Sequence, residues 1–207
     1  LIHLIAASKK NSLTARMVDA LLKVKGAYSM VFLTESRLIA VRDPFGWRPL
    51  VIGRKGSDTD PGGPTWVVAS ETCALDLIEA KFVREIEPGE MVIFDREGMH
   101  SLRPFPIPRK KAMCICEFIY FARPDSHIFG RDVYEMRKGF GKQLAKEHPV
   151  SADVVIPVPD SGVQAALGYA EESGISFQTG LIRNHYVGRT FIEPKESIRH
   201  FGVRIKL

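Results

Sequence analysis

The sequence predicts a chain of two parts, an antiparallel α+β first half followed by an α/β second half. Three observations carry this reading. Short strands punctuated by turn residues run as far as a hairpin around Met91 to Phe94. A proline-rich basic stretch, Arg103 to Lys111, then interrupts every periodic pattern. Beyond it, from Ala152, a strand, a tight turn, a helix and a second strand follow in the order of a parallel βαβ unit.

The elements follow in chain order. Leu13, Met17, Ala20, Leu21 and Val24 fall on one face of a helix over Leu13 to Val24, with Asn11 and Ser12 as capping candidates and Gly26 as its end. Strands are expected at Tyr28 to Thr34, Arg37 to Arg42, Pro49 to Ile52 and Trp66 to Ala69, with Asp43-Pro44-Phe45-Gly46 as a turn between the second and third. The run from Asp58 to Pro64 is loop by composition, and Glu87 to Glu90 with Asp95 to Gly98 brackets the hairpin. In the second half, Ala152 to Val158 reads as a strand, Asp160 and Ser161 as a turn, Val163 to Glu172 as a helix and Ile175 to Gln178 as a strand.

With 207 residues, 45% hydrophobic and 26% charged, the chain has enough apolar material for a real core. Apolar runs such as Leu1 to Ala7 fall far short of the roughly 20 residues that span a bilayer, and no leader pattern opens the chain. A cytoplasmic protein without a membrane partner is expected. Three cysteines, two of them at Cys114 and Cys116, argue against a secreted disulfide framework. The net charge of +5 is concentrated in Arg183 to Leu207, where six Lys or Arg stand against two Glu. That basic stretch suits a phosphate-rich small molecule, a nucleic acid or a plainly solvated face.

Ligands of open α/β sheets bind beyond the carboxyl ends of strands, which makes Val158-Pro159-Asp160-Ser161-Gly162 the natural ligand position. Amides at the following helix start can face an anion, Gly162 permits close approach, and Ser161 or Asp160 can order a magnesium shell. Asp and Ser are equally ordinary turn and cap residues, so the pattern alone leaves a structural role open. The segment from Arg183 through Arg204 mixes cations, glycines and aromatics without a stable period, as a cover closing over a polyphosphate would.

Three stretches, CICEFIYFARPDS (Cys114 to Ser126), DVVIPVPDSGVQAALGYAEESGI (Asp153 to Ile175) and NHYVGRTFIEP (Asn184 to Pro194), resemble successive motifs of the amidophosphoribosyltransferase family, in matching order and separation. Upstream, GAYSMVFLTESRLIAVRDPFGWRPLVIG (Gly26 to Gly53), VVASETCALD (Val67 to Asp76) and EPGEMVIF (Glu87 to Phe94) resemble the later part of that family's N-terminal-nucleophile glutaminase domain. The resemblance implies the C-terminal part of an αββα glutaminase domain over residues 1–108 and the first part of a type I phosphoribosyltransferase domain over 109–207. It implies glutamine and phosphoribosyl pyrophosphate as partners, ammonia passing from one site to the other, a homo-oligomer, and no nucleic-acid partner.

By the same resemblance Ser161 falls at the magnesium-associated position of the pyrophosphate loop, which Asp160 and Gly162 shape, and Arg189 is the phosphate or closure residue of the mobile loop. Tyr120 and Arg123 are similar to residues at the junction of the two sites, with a coupling role. His185 departs from the family pattern, which carries Arg there. Cys114 stands where the iron-sulfur subgroup places one of four ligands of a 4Fe-4S cluster; a small buried hydrophobe is the alternative. Cys116 is expected to pack, and Cys73 to be structural. The family's catalytic N-terminal cysteine and its paired-acid signature do not occur in this chain, so it is expected to be a fragment without glutaminase activity of its own. The alternatives are another glutamine amidotransferase or a non-catalytic phosphoribosyltransferase-like regulator.

Overall fold

A computed structural model describes residues 1–106, 110–188 and 194–207. They divide into two compact units: Leu1–Glu117 with Phe121–Arg131, and Phe118–Tyr120 with Asp132–Leu207. The first unit thus continues past the proline-rich stretch at 103–111.

The first unit opens with helices α1 (Ile2–Ala7) and α2 (Leu13–Leu21). Ser12 caps α2, its hydroxyl accepting the Ala15 N–H at 3.2 Å, and Met17, Ala20 and Leu21 are buried. The helix stops at Leu21 instead of Val24 because the chain tightens into i→i+3 turns, Lys23 N–H to Ala20 and Val24 N–H to Leu21, before Gly26 at φ +117°. Strands β1 (Ser29–Leu33), β2 (Leu38–Arg42), β3 (Val51–Lys55), β4 (Thr65–Ala69), β5 (Lys81–Glu85), β6 (Met91–Asp95) and β7 (Gly98–Leu102) form two antiparallel sheets, ordered β1-β2-β6-β7 and β4-β3-β5. The strand expected at 49–52 begins two residues later, since Pro49 and Leu50 lead into it. Helix α3 (Thr72–Asp76) and β5 were not foreseen.

Alternation explains the layering. Ile39, Val41, Met91 and Ile93 face α2 and join Met17, Leu21, Tyr28 and Phe105 in one core. Their neighbours Ala40, Val92 and Phe94 point the other way, onto Leu50, Ile52 and Ile86. On the far side of β3, Val51 packs with Leu75 of α3 and Ala80. The unit is therefore a helix, sheet, sheet, helix stack, and β2 reads as an unbroken apolar run because both its faces are covered. Truncating a residue such as Ile39, which is fully buried, to Ala would cost about 2–5 kcal/mol.

Two polar devices fix the turns between these layers. Asp43 Oδ1 accepts the N–H groups of Phe45 (2.9 Å) and Gly46 (3.0 Å), and its Oδ2 accepts those of Tyr28 (3.3 Å) and Trp47 (3.2 Å). The buried Arg42 guanidinium donates to the carbonyls of Arg48 (2.8 Å), Ile86 (2.6 Å) and Gly46 (3.1 Å) and lies 3.5 Å from Glu85. A π-helical turn (Glu117–Phe121) and short strands β8 (His127–Ile128) and β9 (Arg131–Asp132) follow.

The second unit is built on α4 (Val133–Glu147) and α5 (Val163–Ser173), which cross where glycine replaces a side chain. A Cβ on Gly141 would stand 1.8 Å from the Ala165 carbonyl oxygen, and one on Gly168 would stand 2.0 Å from that of Lys138. Lys138 and Lys142 both reach Glu171, at 2.7 and 3.1 Å. Asp132 caps α4 by accepting the Glu135 N–H at 3.0 Å, and Gly174, left-handed at φ 73°, ends α5.

The expected pair of strands is reduced to one parallel bridge, Val155 to Phe177, flanked by Val155 N–H to Ser176 O and Gln178 N–H to Val155 O, both 2.9 Å. The parallel sense agrees with a βαβ unit. A longer ladder needs neighbours that bury both faces, and Val154, Ile156 and Val158 remain exposed among the described residues. The basic segment at 183–207, expected to lack periodic structure, ends in helix α6 (Glu196–Lys206). Asn184 closes its C-terminus, donating from its backbone N–H to Lys206 O at 2.7 Å and from Nδ2 to Ile205 O at 3.1 Å.

Candidate functional site

In the second unit the bridge residue Val155 leads into the turn at 158–162 and thence into α5. Gly162 is required there by close approach: a Cβ would meet the Val158 carbonyl oxygen at 2.7 Å, while the Gly162 N–H donates to that same oxygen at 3.2 Å. Because Gly162 is also the N-cap, no side-chain oxygen caps α5, and the positive end of the helix dipole is left facing the turn. Ser161 is half-buried in the turn and Asp160 is exposed. A cleft of about 430 Å³ opens beside it, with Pro157, Asp160, Leu167, Phe177 and Arg183 among its walls.

The structure adds a partner to this turn. Arg183 forms an ion pair with Asp160 through Nη1, while its buried Nε has no hydrogen-bond partner. Asp160 and Arg183 thus meet on the wall of the cleft, next in sequence to the Ser161 hydroxyl and the helix start at Gly162. This set can receive a polyanion. Arg189 lies outside the described residues.

A second cleft, about 600 Å³, lies in the first unit and was not anticipated. Its wall includes Tyr28, Ser29, Arg48, Glu71, Glu117 and Phe121. Glu117 is buried and pairs with Arg48 Nε at 3.0 Å, and the Arg48 guanidinium lies 4.4 Å from the centre of the Phe121 ring. Burial pushes the Glu117 carboxyl above the usual range; Arg48 pulls it down and the negative Glu71 pushes it up. Burial, with Asp43 nearby, also raises the Tyr28 phenol to about 12.

Of the two residues expected at a junction, Arg123 holds Asp125 through two hydrogen bonds of 2.7 and 2.5 Å in the first unit. Tyr120 belongs to the second unit and is about half exposed. Glu71 and Thr72, which lie in the VVASETCALD stretch but to which the sequence assigns no role, bind the segment that follows Tyr120. Their partners are more than fifty residues away, and no local pattern announces them.

The magnesium and cluster expectations fare differently against the donors present. Magnesium bound mainly through substrate oxygens and water asks for only one or two hard protein oxygens, and Ser161 with Asp160 supplies them. A four-thiolate cluster does not fit this chain alone. It has three cysteines, of which Cys73 is buried within α3 and Cys116, expected to pack, is exposed two residues from the half-buried Cys114. Sequence spacing could not set the exposure of Cys116, because Cys114 and Glu117 take the inward positions of that turn. Among the described residues one trio of ligand-type side chains gathers, Asp95, Glu97 and His100 on the β6–β7 hairpin, and none of the expected ligands belongs to it. No described helix is long and apolar enough to cross a membrane.

The fold and the turn define a mixed α/β chain in which a two-sheet unit precedes a turn that opens onto a helix start. No family model matches the sequence. Individual relatives do. The chain is 58% identical over 206 residues to a soybean (Glycine max) protein named amidophosphoribosyltransferase, chloroplastic, and 49% identical over 207 residues to a Bacillus subtilis amidophosphoribosyltransferase. All of this chain is covered in both, against 35% and 42% of the relatives' lengths. A solved glutamine phosphoribosylpyrophosphate amidotransferase from B. subtilis, complexed with ADP and GMP, superimposes with a TM-score of 0.86 at 48% identity, over 99% of this chain and 43% of that one. The chain belongs to the amidophosphoribosyltransferase family and spans about two fifths of the length of the members it matches.

Proposed function

We propose that the complete protein of which this chain is part transfers ammonia from glutamine to phosphoribosyl pyrophosphate, yielding phosphoribosylamine, pyrophosphate and glutamate at the entry to purine synthesis. One observation carries the reading: identity of 48–58% runs over essentially the whole chain to proteins named for this activity. Residues 1–108 then belong to the glutaminase domain and residues 109–207 to the phosphoribosyltransferase domain.

In this reading the C1–oxygen bond to pyrophosphate breaks as ammonia forms the C1–nitrogen bond and gives up a proton. Negative charge grows on the departing pyrophosphate, and donors already aimed at that position favour the transition state. The amides at the start of α5 face the leaving group, Gly162 lets its oxygens approach the backbone, and Arg183 adds a guanidinium at the edge of the cleft. Ser161, with Asp160, would hold magnesium, which when bound neutralises leaving-group charge. Arg189 is assigned to closure over the phosphates, and Tyr120 and Arg123 to coupling between the sites. Cys114 is assigned to a cluster only together with thiolates from elsewhere in the protein.

The test is stoichiometry. With magnesium, glutamine and phosphoribosyl pyrophosphate, the complete protein is expected to release glutamate and pyrophosphate in equal amounts. Binding of phosphoribosyl pyrophosphate without pyrophosphate release, even with ammonium supplied, would establish a regulator instead.

A further inference from the structure

We propose that Glu71, seconded by Thr72, is the positioning residue that holds the 123–126 turn in the geometry needed to deliver ammonia from one site to the other. The inference rests on the proposed amidotransferase function and gives a role to a residue to which the motif resemblance assigns none.

The geometry is specific. Glu71 is the N-cap of α3, in extended backbone, yet its side chain does not cap that helix. Its Oε2 instead accepts the Arg123 backbone N–H and the Ser126 hydroxyl, both at 2.7 Å. One residue further on, Thr72 Oγ1 accepts the His127 N–H at 2.8 Å. The turn closes on itself through Ser126 N–H to Arg123 O at 3.0 Å, and Asp125 fixes the Arg123 guanidinium in two bonds. Ser126 is fully buried, so its hydroxyl depends on this carboxylate. Two adjacent side chains thereby fasten three of the five residues from Arg123 to His127.

A second feature ties Glu71 to the first-unit cleft. Glu71 lines it together with Glu117, Arg48 and Phe121, and its charge is among the influences that raise the Glu117 carboxyl. One carboxylate therefore forms part of the cleft wall and anchors the turn immediately after the π-helical turn carrying Tyr120. Bonds to a charged acceptor are stronger than neutral ones and set direction as well as distance, which suits alignment more than bulk stability.

Glu71→Ala removes the acceptor, whereas Glu71→Gln keeps a carbonyl oxygen able to accept both bonds. In the complete protein, Glu71→Ala is expected to lower glutamine-dependent phosphoribosylamine formation about tenfold, while the ammonium-driven reaction and glutamate release stay within about twofold. Glu71→Gln is expected to restore most of the coupling. Ser126→Ala, which deletes one of the two bonds, is expected to give the same split at about threefold, and it carries the test if Glu71→Ala does not fold. A merely structural role would lower both reactions together. Parallel loss, or unchanged coupling in Glu71→Ala and Ser126→Ala, overturns the proposal while leaving the amidotransferase reading intact. A wild type that releases no pyrophosphate with either nitrogen source overturns that reading and this proposal with it.

Discussion

Two glycines of α4, two residues apart, are expected to respond to the same substitution with opposite signs. Gly139 is exposed, and a Cβ there meets nothing within 4 Å. Alanine at this position gains intrinsic helix propensity of about 1 kcal/mol with nothing to offset it. Gly141 is buried at the α4–α5 crossing, and its Cβ would lie 1.8 Å from Ala165 O, 2.7 Å from Ala165 C and 2.8 Å from Tyr169 N. Carbon and carbonyl oxygen approach no closer than about 3.3 Å, so the helices must separate locally by roughly 1.5 Å. The obstructing atoms are backbone, which cannot rotate away. Overpacking of this kind costs about 3 kcal/mol at the upper end of its usual range, and subtracting the propensity gain leaves about 2 kcal/mol of destabilisation.

For a chain of this size each kcal/mol moves the melting temperature by about 2–4 °C. Gly141→Ala should therefore melt roughly 4–8 °C below wild type and Gly139→Ala about 2–4 °C above it. Thermal unfolding followed by far-ultraviolet circular dichroism reads both. If Gly141→Ala melts at or above Gly139→Ala, α4 and α5 do not cross on glycine and the packing described for the second unit is wrong.

Other perturbations test the first unit and its charges. Arg42→Lys keeps the charge but cannot span three carbonyls and Glu85, and should cost about 2–4 kcal/mol in denaturant unfolding; a loss below about 0.5 kcal/mol would contradict the arrangement. Glu90 is buried and accepts from Arg84 at 2.7 and 2.8 Å, from Ser101 at 2.6 Å and from the Glu87 N–H at 2.7 Å. Burial alone would raise its carboxyl, but those bonds prevail and hold it below its ordinary value. A depressed acid contributes stability above its unfolded value, near 4.3, and loses it as pH falls through the folded value. The advantage of wild type over Glu90→Gln should thus be full at neutral pH and shrink below about pH 4. A difference that widens on acidification would reverse the assignment.

The parts of this fold that announce themselves in sequence are those where side chains do the packing. Leu38 to Val41 is apolar throughout because β2 is covered on both faces, and Asp43-Pro44-Phe45-Gly46 is legible because Asp43 satisfies the turn's own amides. Helix α4 escaped notice for the opposite reason. Its buried positions Val133, Arg137, Gly141 and Ala145 keep a four-residue spacing but offer one large apolar residue, the crossing being made by backbone. Arg137 survives burial by donating to Phe118 O at 2.5 Å, a bond between distant residues that periodicity cannot signal.

The candidate site divides in the same way. Asp160-Ser161-Gly162 is a local pattern, and Gly162 marks a backbone approach that only glycine allows. Arg183 was one cation in a basic run until the fold set it on Asp160. Glu71 and Glu117 act through partners that the chain brings back from a distance, so their chemistry appears only in three dimensions.

The most direct test of the account is pyrophosphate release from phosphoribosyl pyrophosphate by the complete protein, with magnesium and ammonium, in wild type and in Gly162→Ala. Bypassing glutamine isolates the turn at 158–162. Wild type should release pyrophosphate. The alanine Cβ, 2.7 Å from Val158 O, should displace the turn and lower the rate by about a hundredfold. A wild type without release, or a Gly162→Ala variant of undiminished rate, would contradict the assignment of this turn to the leaving pyrophosphate.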